Sequence, residues 1–179
     1  MKLLKFVAVG AAVALVAACT SPRPEQYANE MPRLEVEQYF NGTLDAHGMF
    51  QGRSGEVVKR FVVVMRCTWQ GDTGTLDEDF VYADGTKQKR VWTLKKTGAG
   101  RFTATADDVV GTAQGTVSGN SLRWQYVLAL PVDGKIVNVN MDDWMFLIDD
   151  KVMLNRTAMS KFGVSLGSVT LSFTKRATQ

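Results

Sequence analysis

The stretch EVVKRFVVVMRCTW, residues 56–69, decides the fold. In an extended chain Val58, Arg60, Val62, Val64 and Arg66 share one side. Phe61, Val63, Met65, Cys67 and Trp69 share the other, which is wholly apolar. Successive side chains of a strand point to opposite faces, so a period of two with one apolar side reads as a strand laid against a core. Ser121 to Leu130 repeats the pattern, with Leu122, Trp124, Tyr126, Leu128 and Leu130 on one face. Near the C-terminus Val169, Leu171 and Phe173 alternate with Ser168, Thr170 and Ser172.

Outward from these anchors, a first strand runs through His47. Thr75–Tyr82, Arg90–Lys95, Arg101–Ala106, Ala113–Val117, Lys135–Met141, Trp144–Ile148 and Val152–Ala158 supply further strands. Between them stand Gly71 to Gly74, Asp84-Gly85, Gly98-Ala-Gly100, Ser118-Gly-Asn120, Asp133-Gly134 and Asp149-Asp150, all suited to tight hairpins. Asp84-Gly85 and Asp133-Gly134 are the strongest, because a type I′ turn needs positive φ. No strong amphipathic helix of four turns is visible, and Leu34 to Phe40 fits a helical turn or a strand equally well. The pattern predicts an all-β antiparallel meander of about eight to ten strands that closes into a barrel and so removes its edges.

The chain start reads differently. Lys2 and Lys5 precede an uncharged run from Phe6 to Ala18, rich in Ala and Val. A membrane-crossing helix needs about 20 apolar residues, whereas a signal-peptide core is shorter. Small residues at Ala17 and Ala18 lead into Cys19, the order of a lipobox. The expectation is a signal helix over residues 1–18, a lipidated Cys19, a tether over 19–33 with three prolines, and one domain over 34–179. Two or three acyl chains on Cys19 would hold the protein on a membrane without spanning it. Thr20 in place of Asp points to the outer membrane, facing the periplasm.

The whole chain carries a net formal charge of +3, and loss of Lys2 and Lys5 with the leader lowers this to +1. So balanced a charge gives no argument for nucleic acid or for an acidic partner. Cys67 would be the sole cysteine left beside the acylated one, and its apolar strand makes it a buried, inert thiol.

Chemistry-bearing constellations are sparse. His47 is the only histidine, so any nucleophile–histidine mechanism must run through it, and a structural or surface role is the simpler reading. The acidic groups Asp77-Glu78-Asp79, Asp107-Asp108, Asp142-Asp143 and Asp149-Asp150 lack calcium-loop spacing. Within a strand neighbouring acids point to opposite faces and cannot form a dyad. Arg90 shares a face with Trp92, and inside the barrel it would meet an acid such as Glu78 or a ligand head group. No phosphate loop, nucleophile elbow, zinc signature or dinucleotide fingerprint is present, so no catalytic residue, metal site or cofactor is expected.

The stretches DEDFVYADG (77–85), VWTL (91–94), ADDVVGTAQGTVSGN (106–120), DDWMF (142–146) and NRTAMSKFG (155–163) resemble a family of Gram-negative lipoproteins, domain-of-unknown-function family 3833. The resemblance covers roughly residues 36–175. It implies a lipocalin-like (calycin-like) barrel and no established activity. The frequent neighbourhood of its genes to fatty-acid modification genes implies lipid. Gly42-Thr43-Leu44 departs from the Gly-x-Trp of true lipocalins.

Two functions follow as expectations. In one, the barrel binds a small apolar molecule such as a fatty acid, with Trp69, Phe80, Tyr82, Arg90, Trp92, Trp124, Tyr126 and Trp144 lining the pocket. In the other, a filled barrel docks an envelope protein whose identity the sequence does not give. An enzyme of modified lipids comes third.

Overall fold

The computed structural model describes residues 21–177. The signal helix and Cys19 fall outside them. A helical turn, α1 (Val36–Tyr39), precedes ten strands: β1 (Gly42–Gly52), β2 (Val57–Gln70), β3 (Thr73–Tyr82), β4 (Lys87–Gly98), β5 (Arg101–Thr105), β6 (Val109–Ser118), β7 (Ser121–Val132), β8 (Lys135–Leu147), β9 (Val152–Lys161) and β10 (Val164–Lys175). Each strand pairs antiparallel with the next, and β1 pairs with β10 to close the barrel. The expected all-β meander is therefore present, at ten strands. No helix among the described residues is long and apolar enough to cross a membrane.

Alternation sets what faces in. Val63, Met65 and Cys67 of β2 and Leu122, Trp124 and Leu128 of β7 are buried, as their sequence periods require. On β3 the acidic triplet splits the same way. Asp77 and Asp79 face out and pair with Lys89 and Arg66, while Glu78 is buried.

One barrel end is capped. Leu34, Val36, Tyr39 and Phe40, in and around α1, are buried there. The Tyr39 hydroxyl donates to the carbonyl of Lys151 (3.0 Å) and the Trp69 indole N–H donates to that of Phe40 (2.7 Å). Glu37 pairs with Lys96, and the Lys175 ammonium donates to the Gln38 carbonyl. The other end carries the hairpin turns at 53–56, 83–86, 106–108, 133–134 and 162–163, and no such cap crosses it among the described residues. Exposed apolar side chains rim it, among them Ile136, Val164 and Phe162, the last 90% exposed.

Four local expectations change. Asp142-Asp143 does not break a strand, because Asp142 points out onto Arg123 and Asp143 points in, so β8 is continuous. The Phe162-Gly163 turn was not anticipated, since phenylalanine at positive φ (51°) is unusual. Asp133-Gly134 has positive φ at both residues as a type I′ turn requires, but at Asp84-Gly85 only Gly85 does.

The fourth concerns the tether. From Pro24, which is buried, the chain is laid on the barrel rather than free. Tyr27 packs edge-on against Trp144 (5.7 Å) and Phe146 (5.0 Å), and the Leu34 N–H donates to the Gly119 carbonyl (2.8 Å). Two aromatics on the outer face of β8 supply the apolar surface that draws the segment down.

Candidate ligand-binding cavity

The inward faces enclose a cavity of about 880 Å³ that runs from the open rim down to Phe40. Small-molecule pockets span roughly 300–1,000 Å³. The lumen stays open because large rings lie flat against the wall. Phe61 faces Gly48 across β1 and β2, and Trp124 faces Gly115 across β6 and β7. A Cβ on Gly115 would come within 2.6 Å of the Trp124 ring, and one on Gly48 within 2.8 Å of Phe61. Glycine on the neighbouring strand thus makes the seat each ring occupies.

Six of the eight residues expected to line a pocket do so: Phe80, Tyr82, Arg90, Trp92, Trp124 and Tyr126. Phe80 and Tyr82 stack at 6.2 Å, and Trp92 meets Tyr126 edge-on at 5.4 Å. Two do not. Trp69 sits at the capped end against Phe102 and the Phe40 carbonyl. Trp144 is on the outer face, one position out of phase with Asp143, and is buried under Tyr27 and the Arg123 guanidinium, which lies 5.0 Å from its ring. Thioethers complete the lumen, with Met65, Met141, Met145 and Met159 on its wall. They suit a variable apolar occupant, being flexible and polarisable.

Arg90 reaches inside, but Asp108 is its main partner and Glu78 a secondary one. The guanidinium Nε lies 2.9 and 3.1 Å from the two Asp108 oxygens and Nη2 lies 2.6 Å from Oδ2, whereas Glu78 is 3.9 Å from Nη1. The reason is a seam. Strand β5 is short and pairs with β4 only from Thr93 onward, so Lys87–Trp92 lacks a partner on that side. The Arg90–Asp108 fork ties the 106–108 turn across this gap. Burial opposes the Arg90 charge, but the Asp108 bonds and the Glu78 field outweigh it and raise its pKa.

Two further acids face the lumen. Burial pushes Glu78 up to about 7, with Arg90 opposing. It pushes Asp143 up to about 6 against the hydrogen bonds from Thr157 and Asn155. The Thr157 hydroxyl donates to Asp143 Oδ1 (3.0 Å), and the Asn155 amide donates both to that oxygen and to the Trp144 carbonyl (3.2 Å). Both bonds to Asp143 fall on Oδ1, and Oδ2 takes none. Tyr126 also lines the lumen, its phenol pKa raised by burial and by Asp143. Asn155 and Thr157, polar residues outside the sequence-derived pocket set, face inside. Met153 and Met159, buried on β9, carried the phase that puts them there.

The arrangement holds no nucleophile–base pair among the described residues. His47 is exposed on the outer face of β1, and Cys67 is buried with its thiol pushed up to about 12. No group of three or more His, Cys, Asp or Glu side chains among the described residues is placed to hold a metal ion.

A closed ten-strand antiparallel meander around an apolar lumen defines a lipocalin-like barrel. The solved S-type phycobiliprotein lyase of Guillardia theta is similar in fold. It has a TM-score of 0.60 at 9% identity, over 88% of this chain and all (100%) of that one. A designed fluorescence-activating β-barrel is similar at a TM-score of 0.45 and 10% identity, covering 80% of this chain and 99% of that one. A protein of the DUF3598 family from Nostoc punctiforme matches with a TM-score of 0.48 and 10% identity, over 83% of this chain and 51% of that one. No curated protein sequence matches the chain significantly. The profile of the DUF3833 family, described as a protein of unknown function, matches residues 13–175, and the chain belongs to that family.

Proposed function

We propose that this protein is a lipid-anchored binding module that holds one small apolar molecule, such as a fatty acyl chain, inside its barrel at the periplasmic face of the outer membrane. The observation that carries the binding reading is the open 880 Å³ lumen walled by aromatic and thioether side chains. A barrel filled to dock a protein would close that space, since cores pack to crystal-like density. The anchoring reading rests on the leader-like residues 1–18 and on Cys19. An acyl chain of about 14 carbons gains roughly 10 kcal/mol by leaving water, at about 0.8 kcal/mol per CH₂. After ordering costs this supports micromolar binding or better.

The test is a titration of the purified protein with apolar chains of several lengths, read by tryptophan emission. Trp92 and Trp124 line the lumen, so their emission should change with saturation. Trp124→Ala should weaken binding more than it lowers stability. No change with any chain length, and no lipid retained through purification by mass spectrometry, would overturn the reading.

A further inference from the structure

We propose that the cavity selects an apolar molecule ending in a hydrogen-bond-donating group, a protonated amine best of all, and that Asp143 and Glu78 receive it. The inference rests on the cavity being a binding site and adds the chemistry of the ligand's end group.

The accounting of donors and acceptors inside the lumen points this way. The donors deep in the lumen are already spent, and the open ones, the Lys59 ammonium and the Gln88 amide, lie toward the rim. The Arg90 fork is closed by Asp108, and its Nη1 faces Glu78. Asn155 gives its amide hydrogens to Asp143 and to the Trp144 carbonyl, and Thr157 gives its hydroxyl to Asp143. The acceptors are not spent. Asp143, 7% exposed, keeps Oδ2 unbonded, and Glu78, 8% exposed, has a long ion-pair contact to Arg90 and a hydrogen bond from the Trp92 side chain, which leaves acceptor capacity on its carboxylate. Both line the cavity. The Tyr126 hydroxyl can donate or accept and suits either kind of end group.

Charge agrees with the bonding pattern. Glu78, Asp108 and Asp143 face the lumen against Arg90 and, at the rim, Lys59. A ligand carboxylate would enter beside three acids with the inner cation already paired. A ligand ammonium would meet the open Oδ2 of Asp143 and the carboxylate of Glu78 among the faces of Trp92, Trp124 and Tyr126, which attract cations. Burying an acid without a partner is costly, so an occupant that supplies the partner gains what the empty barrel loses.

The experiment compares decylamine, decanol and decanoate, identical in apolar length, by isothermal titration at neutral pH on the wild-type protein, Asp143→Asn and Glu78→Gln. A hydrogen bond to a charged group is worth enough to give about a tenfold preference or more. Decylamine should therefore bind at least about tenfold tighter than decanoate, with decanol between. Each substitution should shrink that gap to a few-fold by weakening the amine. Equal binding of all three would leave the cavity as a ligand site and overturn the donor preference. Tightest binding of decanoate would do the same. Failure of all three to bind would remove the binding reading itself. The wild-type series decides the matter even where a variant folds poorly.

Discussion

Asp143→Asn should make the empty barrel more stable at neutral pH. Asparagine keeps the acceptor oxygen used by Asn155 and Thr157 and removes a charge that the lumen does not neutralise. Asp143 sits at about 6 in the folded protein against an ordinary 3.8. The folded state therefore holds its proton more tightly than the unfolded chain does. Stability then falls as pH rises from about 4 through about 6, and the full cost is present above that window. At about 1.4 kcal/mol per pKa unit the cost approaches about 3 kcal/mol at pH 7.5. Glu78, raised by burial and in part by Asp143, adds a loss of the same sign that ends near pH 7. Asp142, the like charge that adds to the rise, remains in the variant. Urea unfolding at pH 4 and pH 7.5 measures the effect. The variant should gain about 1–3 kcal/mol over wild type at pH 7.5 and little at pH 4. A variant that is less stable at pH 7.5, or a difference that does not change with pH, would refute the reasoning.

Gly115→Ala puts a methyl group where the Trp124 ring lies, so it should cost about 1–3 kcal/mol or swing the ring into the lumen and weaken apolar binding. Thermal unfolding and ligand titration on one sample separate these outcomes. Tyr27→Ala uncovers Trp144 and Phe146 on the outside, so it should lower stability by about 1–2 kcal/mol and leave ligand affinity unchanged. Cys19→Ser should abolish acylation, read by metabolic labelling with an acyl precursor, and unchanged labelling would end the lipoprotein reading.

Alternation made the inward faces of β2, β7 and β10 legible, because each carries an apolar side, broken on β2 only by Lys59 at the rim. It also gave the inward placement of Arg90 and Glu78. What it could not show was cover from outside the barrel. Trp144 is as buried as Phe80, yet it faces outward and is covered by Arg123 and by a polar, proline-rich segment that reads as free chain. Trp69 has the right phase and the wrong height, a coordinate that period-two patterns do not encode. Asp108 as the partner of Arg90 depended on the shortness of β5, which opens a seam that only the turn at 106–108 can reach. The openness of the lumen depended on Gly48 and Gly115 standing opposite Phe61 and Trp124, a register fact rather than a composition one.

The central claim is that an apolar ligand lies inside the barrel, and methionine methyl NMR addresses it most directly. Met65, Met141, Met145 and Met159 line the cavity, whereas Met31 is exposed and Met153 is buried away from it. With ¹³C-methyl methionine and saturating decylamine or an acyl chain, the four lumen methyls should shift and show contacts to ligand methylenes, while Met31 and Met153 stay in place. Ligand contacts confined to Met31, or no shift at the four lumen methyls at saturation, would contradict the account.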